Sequence, residues 1–171
     1  MLFRSYPNVP QVIKEAFAEY EKLTGRRYVQ IKTFNAEDAD KAIVILGSSA
    51  GTARYAARKL KEKGQNVAVI SLTQYRPFPR KELRTILEKF DVVAVFDRSL
   101  SFGSPGNQLF MDVATSLYNA KKRPLLVNVV YGLGGRDFTP RHVEQVYQLM
   151  EEVQKRGEAP EEPVWVGLRE A

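Results

Sequence analysis

Four predominantly apolar runs, each followed by a turn and then by helical periodicity, constrain this chain more than any other feature. They are Ala42-Ile43-Val44-Ile45-Leu46, Val67-Ala68-Val69-Ile70-Ser71-Leu72, Val92-Val93-Ala94-Val95-Phe96 and Leu125-Leu126-Val127-Asn128-Val129-Val130. A strand that is apolar at nearly every position has no side to offer solvent. It belongs in a parallel sheet covered on both faces, and intervening helices of roughly ten to fifteen residues supply the covers. The fold class is therefore α/β: an open, doubly wound, mostly parallel sheet of about four or five strands in three layers. Helices are expected over residues 52–63, 80–89, 107–118 and 140–155. Gly64 closes the first, and the last has Thr139 as N-cap and Pro140 at its first position. Upstream, Val12, Ile13, Phe17 and Tyr20 recur at helical spacing, and Gly25 stands where a left-handed residue ends a helix. Residues 28–34 read as a short extended piece. Residues 157–163 are rich in Pro and Glu, and the apolar patch Val164-Trp165-Val166-Gly167-Leu168 is expected to pack back on the domain or on a partner. The expected organisation is a lead-in over 1–37, an α/β domain over 38–156 and a tail over 157–171.

Composition narrows the chemistry. The chain has no cysteine, which removes disulfides, thiolate zinc sites, cysteine nucleophiles and cysteine-ligated iron–sulfur clusters from within it. Its single histidine, His142, excludes a His-rich metal site and a relay between histidines. No apolar run reaches the roughly 20 residues of a membrane span, and the N-terminus lacks the apolar stretch of a secretory signal. A soluble, cytoplasmic protein without a membrane partner is expected. The net charge of +6 raises nucleic acid as a partner. The basic residues, however, are scattered and interleaved with acids, and neither an RNA-binding aromatic signature nor zinc-finger spacing accompanies them, so no nucleic acid is expected.

Ligands of open α/β sheets gather at the carboxyl ends of the strands, and four loops occupy that position here. The first, with Gly47, Ser48, Gly51 and Thr52, joins a strand to a helix N-terminus, where free N–H groups favour an anion. It lacks both the dinucleotide fingerprint and the P-loop Gly-Lys pair, and the favoured reading over a phosphate site is a tight turn that brings helix to sheet. In the second, Arg76 either grips a carboxylate or phosphate or ties two elements together. The third carries Asp97, Arg98, Ser101, Phe102, Gly103 and Gly106. Asp97 has no histidine nearby in sequence and no second acid in the loop, so a local structural role is expected. The fourth sets Gly132, Gly134 and Gly135 before Arg136 and Asp137. Its glycines permit positive φ and close backbone approach, whether to an anion or to a partner's loop. His142, alone on its helix, reads as a surface or packing residue. Nucleophilic and metal catalysis lack their parts, so no residue is assigned a catalytic, cofactor-binding or metal role, and the chain reads as a non-catalytic module with specific loops.

The four loops in order carry a resemblance. Gly47-Ser48-Ser49-Ala50-Gly51-Thr52, Tyr75-Arg76-Pro77-Phe78-Pro79, Asp97-Arg98-Ser99-Leu100-Ser101-Phe102-Gly103 and Tyr131-Gly132-Leu133-Gly134-Gly135-Arg136-Asp137 resemble one domain. It is the C-terminal domain of the α chain of 2-oxoacid:ferredoxin oxidoreductases, above all of the pyruvate:ferredoxin oxidoreductases. The lead-in Leu23-Thr24-Gly25-Arg26-Arg27-Tyr28 matches the helix and turn before that domain.

The resemblance implies a fold similar to the transketolase C-terminal domain. It also implies a complete enzyme that converts a 2-oxoacid and coenzyme A to an acyl-CoA and carbon dioxide while reducing ferredoxin. Thiamine diphosphate and iron–sulfur clusters then sit in other domains or subunits, so this chain holds no cofactor and has no activity alone. Its implied role is structural and subunit-assembling, with thiamine-binding and iron–sulfur subunits as partners in an oligomer. The Met1 start and the apolar tail are expected of a C-terminal fragment or a split subunit. The alternative is a stand-alone binder of a phosphate or nucleotide, using the Gly47 turn and Arg76.

Overall fold

The computed structural model describes residues 2–168. The reading of Met1 as a chain start and the last three residues of the 157–171 tail lie outside the described residues. A single helical turn, α1 (Leu2–Ser5), and a 3-10 turn (Tyr6–Asn8) lead into α2 (Val9–Thr24). The chain continues as β1 (Ile31–Phe34), β2 (Lys41–Leu46), α3 (Ser49–Glu62), β3 (Ala68–Leu72), α4 (Arg80–Leu87) and β4 (Val92–Asp97). It ends as α5 (Gln108–Leu117), β5 (Leu125–Tyr131), a 3-10 turn (Leu133–Gly135), α6 (Pro140–Arg156) and β6 (Val164–Val166).

One sheet of order β1-β3-β2-β4-β5-β6 runs through the domain, parallel except for β1. The α/β class and the mostly parallel sheet are those expected from the four apolar runs. The strand count is six rather than four or five, because both flanking segments join. The extended piece becomes β1 and pairs antiparallel with β3, from Ile31 opposite Leu72 to Phe34 opposite Val69. The apolar tail packs back as β6, parallel to β5, with Val130 opposite Trp165. Each addition pairs a strand edge that would otherwise be left open.

Because side chains alternate along a strand, each apolar run feeds two cores. Ile43, Ile45, Val69, Ala94, Phe96, Val129 and Tyr131 face α3 and α6; Ala42, Val44, Ile70, Val93 and Val95 face α4 and α5. The assignment of helices to faces has a topological consequence. The step from β2 to β3 moves one way along the sheet, and the steps to β4, β5 and β6 move the other way. α3 covers one face and α4 and α5 the opposite face, so the first three crossovers share one hand. α6 returns to the α3 face, so the last crossover has the reverse hand, against a strong general rule. Packing explains the exception: α6 lies beside α3 and over β4, and residues 157–163 then carry the chain out to the edge.

The lead-in helix stands apart from both cores. No side chain of α2 is buried; Phe17 and Tyr20 pack on the Tyr28 ring, and Lys14 lies 3.6 Å from Glu82. Gly25, at φ +69°, terminates it in the left-handed conformation expected. Among the described residues, no helix is long and apolar enough to cross a membrane.

Candidate functional site at the carboxyl edge of the sheet

The parallel strands deliver the four candidate loops to one edge, but the loops do not converge on a single point. Three of them meet at the ends of β2, β4 and β5. Asp97, the last residue of β4, accepts the Leu109 N–H at 3.0 Å and so caps the N-terminus of α5. Next to it Arg98 turns toward β5: its Nη2 donates to the Gly132 carbonyl at 3.3 Å, and its guanidinium lies 5.9 Å from the centre of the Tyr131 ring. Tyr131 closes the group, its ring packed at tilted angles against Phe96 and Phe138. Burial pushes the Tyr131 phenol above its ordinary value, opposed by a hydrogen bond to Ser49 and by the charge of Arg98. Gly132 is required here twice over: its φ is +64°, and a Cβ on it would stand 3.0 Å from Arg98 Nε.

The Gly47 turn is short. Gly47 and Ser48 alone separate β2 from α3, so Gly51 and Thr52 lie in the helix. The Ala50 and Gly51 N–H groups donate to the Gly47 and Ser48 carbonyls at 3.2 and 2.9 Å. These two bonds close the turn tightly between strand and helix, as the tight-turn reading expects.

Arg76 lies on the opposite face. Its Nη2 donates to Asp112 Oδ2 at 2.8 Å, and its guanidinium stacks 4.0 Å from the Tyr75 ring centre. The Tyr75 hydroxyl donates to the same carboxylate oxygen at 2.9 Å. Burial together with Asp112 pushes that phenol up to about 12. Arg76 therefore ties the β3–α4 loop to α5. Beneath the loop the buried Gln74 accepts from Gln30 at 2.8 Å and donates to the Pro77 carbonyl at 2.6 Å.

In the third loop, Ser104 bridges back, its N–H to the Ser101 carbonyl at 3.2 Å and its hydroxyl to the Gly106 carbonyl at 3.0 Å. Gly106 has no room for a side chain, since a Cβ would come within 2.5 Å of the Phe110 ring. Gly103, at φ +70°, turns the tip, and Phe102 beside it is 91% exposed. In the fourth loop Arg136 reaches across to the tail and donates to the Gly167 carbonyl at 3.0 Å. Gly134 and Gly135 have positive φ and open space around them, and Asp137 is exposed. His142 helps cap its own helix by accepting the Thr139 N–H at Nδ1, 3.3 Å away. Burial and the charge of Arg141 hold its pKa below the ordinary histidine value.

Asp112, Ser49, Asn128 and Trp165 complete these arrangements and were not among the sequence candidates. Trp165 had a signal as an apolar residue in a tail that needed cover, and Ser49 lay within the first loop; Asp112 and Asn128 are ordinary polar residues until the fold supplies their partners. No group of three or more metal-ligating side chains forms among the described residues.

The antiparallel edge strand, the sheet order and the two helical layers define a transketolase C-terminal-like α/β domain. Two solved structures support the fold, both at low identity. The 2-oxoglutarate:ferredoxin oxidoreductase from Magnetococcus marinus aligns at a TM-score of 0.52 and 19% identity, over 86% of this chain and 23% of that one. A split-gene transketolase in its inactive β4 tetramer aligns at 0.53 and 21%, over 75% and 44%. The family pyruvate:ferredoxin oxidoreductase core domain II matches residues 39–143, and this chain belongs to it. The pyruvate synthase subunit PorA of Pyrococcus furiosus is 38% identical over 159 residues, 93% of this chain and 40% of the relative. The ketoisovalerate oxidoreductase subunit VorA of Pyrococcus abyssi is 36% identical over 169 residues, 98% and 42% respectively. The chain thus spans about two fifths of the length of these relatives.

Proposed function

We propose that this chain is the structural and subunit-assembly domain of a cytoplasmic 2-oxoacid:ferredoxin oxidoreductase. In that enzyme a 2-oxoacid is oxidatively decarboxylated to its acyl-CoA with reduction of ferredoxin. The observation that carries the reading is where the charged loop residues point. Asp97 serves the α5 backbone, Arg98 the Gly132 carbonyl, Arg76 the Asp112 carboxylate and Arg136 the tail, so the family's domain II arrives here with these four edge charges engaged internally and Asp137 exposed. Such an edge presents glycine-rich and aromatic loops to neighbours rather than an acid–base pair to a substrate.

The residues present do not suit the enzyme's cofactors. A chain without cysteine has no thiolates for an iron–sulfur cluster, and the one turn suited to a diphosphate has two of its N–H groups engaged by its own carbonyls. Thiamine diphosphate and the clusters belong to other domains or subunits, which the loops of residues 101–106 and 132–137 contact in an oligomer. Relatives named for pyruvate and for ketoisovalerate match over almost the same span, so the choice of 2-oxoacid is made elsewhere.

The test is affinity capture of the tagged chain from its native extract, with mass spectrometry of the recovered proteins. Recovery of thiamine-binding and iron–sulfur subunits supports the assembly role. A chain that comes down alone, and that binds a phosphate ester tightly once purified, would overturn it.

A further inference from the structure

The sheet ends on β6, which has β5 on one side and no strand on the other among the described residues. Val164 and Val166 point into the core beneath α6, so Trp165 points to the opposite face. Neither α4 nor α5 covers that face at β6. Instead the tip of the β4–α5 loop stands across from Trp165 and leaves a cleft of about 470 Å³ between them. Phe102 and Pro105 form one wall, Trp165 and Pro163 the other. The two aromatic rings are conspicuously uncovered, Phe102 at 91% and Trp165 at 39% exposure. Glu161 and Glu162 line the same cleft, and neither has an ion-pair partner among the described residues. In a chain of net charge +6 this is a local reversal of sign.

We infer that this cleft is a docking site for an extended segment of a partner protein, apolar at its centre and flanked by Lys or Arg. Three features converge on that occupant. An open strand edge offers backbone donors and acceptors in the spacing an added strand satisfies. The aromatic walls take an apolar side chain from every second residue of that strand. The two unpaired carboxylates favour a cation at its flank and disfavour an acidic segment. The inference deepens the assembly reading by giving the partner a chemistry, and its test does not require the assembled enzyme.

Trp165 is the only tryptophan in the chain, so its emission reports on the cleft directly. The full chain is titrated with two peptides, Lys-Val-Phe-Val-Lys and Glu-Val-Phe-Val-Glu. The lysine peptide is expected to change the emission saturably and to bind about fivefold or more tighter than the glutamate peptide, with the difference shrinking in high salt. The E161Q/E162Q chain should lose the preference, and Phe102→Ser should weaken both peptides. Both variants alter exposed or half-exposed residues and should keep the wild-type circular dichroism. No saturable change with the lysine peptide at millimolar concentration, equal affinity for the two peptides, or an unchanged preference in E161Q/E162Q would each overturn the proposal. So would a concentration-dependent change of emission without peptide, which would make the face a contact between copies of this chain. If the peptides fail while thiamine and iron–sulfur subunits are captured, the cleft proposal falls alone. If they bind while the chain comes down alone and holds a phosphate ester tightly, the assembly reading falls instead.

Discussion

Arg76 and Asp112, 36 residues apart in sequence, meet through a 2.8 Å hydrogen bond that joins the β3–α4 loop to the surface of α5. The same carboxylate oxygen accepts the Tyr75 hydroxyl, so one acid holds two loop side chains. The arginine side chain is 45% exposed and its Coulombic contribution is screened, but the tyrosine bond is partly buried. Asp112→Ala is therefore expected to lower stability by about 1–2 kcal/mol, and Asp112→Asn, which keeps an acceptor, by about half as much. Urea denaturation with an unchanged m-value is the measurement. A loss below a few tenths of a kcal/mol for Asp112→Ala would mean the loop is held by ring packing alone.

The fourth loop contains glycines of unequal consequence. At Gly132 an alanine meets both a left-handed φ and the Arg98 guanidinium, so Gly132→Ala should cost about 2 kcal/mol and loosen Arg98 from its carbonyl. Gly134 has the same φ with open space around it, and asparagine tolerates that conformation. Gly134→Asn should therefore fall within about 0.5 kcal/mol of wild type. Thermal unfolding of the two variants side by side separates conformational strain from steric exclusion.

His142 gives the fold a pH dependence of definite sign. Its Nδ1 accepts the Thr139 N–H, which requires the neutral ring, and burial first, then Arg141, depress its pKa below the ordinary 6.5. Between the depressed native value and 6.5 the unfolded chain binds more protons than the native one. Stability from this residue is thus complete above 6.5, rises with pH through the window and is lost as the pH falls through the native value. Glutamine at this capping position keeps the reciprocal bond without titrating. His142→Gln should match wild type near pH 7.5 and show a flatter acid limb, while His142→Ala should lose about 0.5–1 kcal/mol near pH 7.5 and progressively less as the pH falls. Scanning calorimetry from pH 5 to 8 tests this; parallel acid limbs in wild type and His142→Gln would remove His142 as the source.

Much of this was legible because it is local. The runs around Ile43, Val69, Val95 and Val129 announce buried parallel strands through their apolar continuity, and Gly25, Thr139 and Pro140 mark helix ends by backbone chemistry alone. What sequence could not supply was pairing at a distance. Nothing about Asp112 distinguishes it from any carboxylate on a helix until Arg76 and Tyr75 are folded against it. The reversed hand of the last crossover is equally silent, because it follows from α6 choosing the α3 face, a matter of packing between elements some ninety residues apart. Asn128 illustrates a third case. In a run of apolar residues it read as strand, yet its buried amide accepts from Asn107 Nδ2 at 3.0 Å and joins the α5 cap to β5.

The position at which the folding unit begins can be decided by two truncations. α2 contributes no buried side chain, so removing residues 1–26 should lower stability by under about 1 kcal/mol. Removing residues 1–37 takes β1 as well. That change uncovers the β3 edge, withdraws Phe34 and Ile31 from the two cores, and leaves the buried Gln74 without the Gln30 amide that it accepts. The cost should be about 3 kcal/mol or more, since two apolar side chains and a ladder of hydrogen bonds are lost together. Denaturant midpoints of the two truncated chains distinguish the cases. Equal midpoints would place the start of the cooperative unit after β1, with the lead-in over 1–37 separate from the α/β domain. A large gap between them makes β1 an integral strand and leaves α2 as an attachment, its apolar side chains free to pack on whatever adjoins the domain.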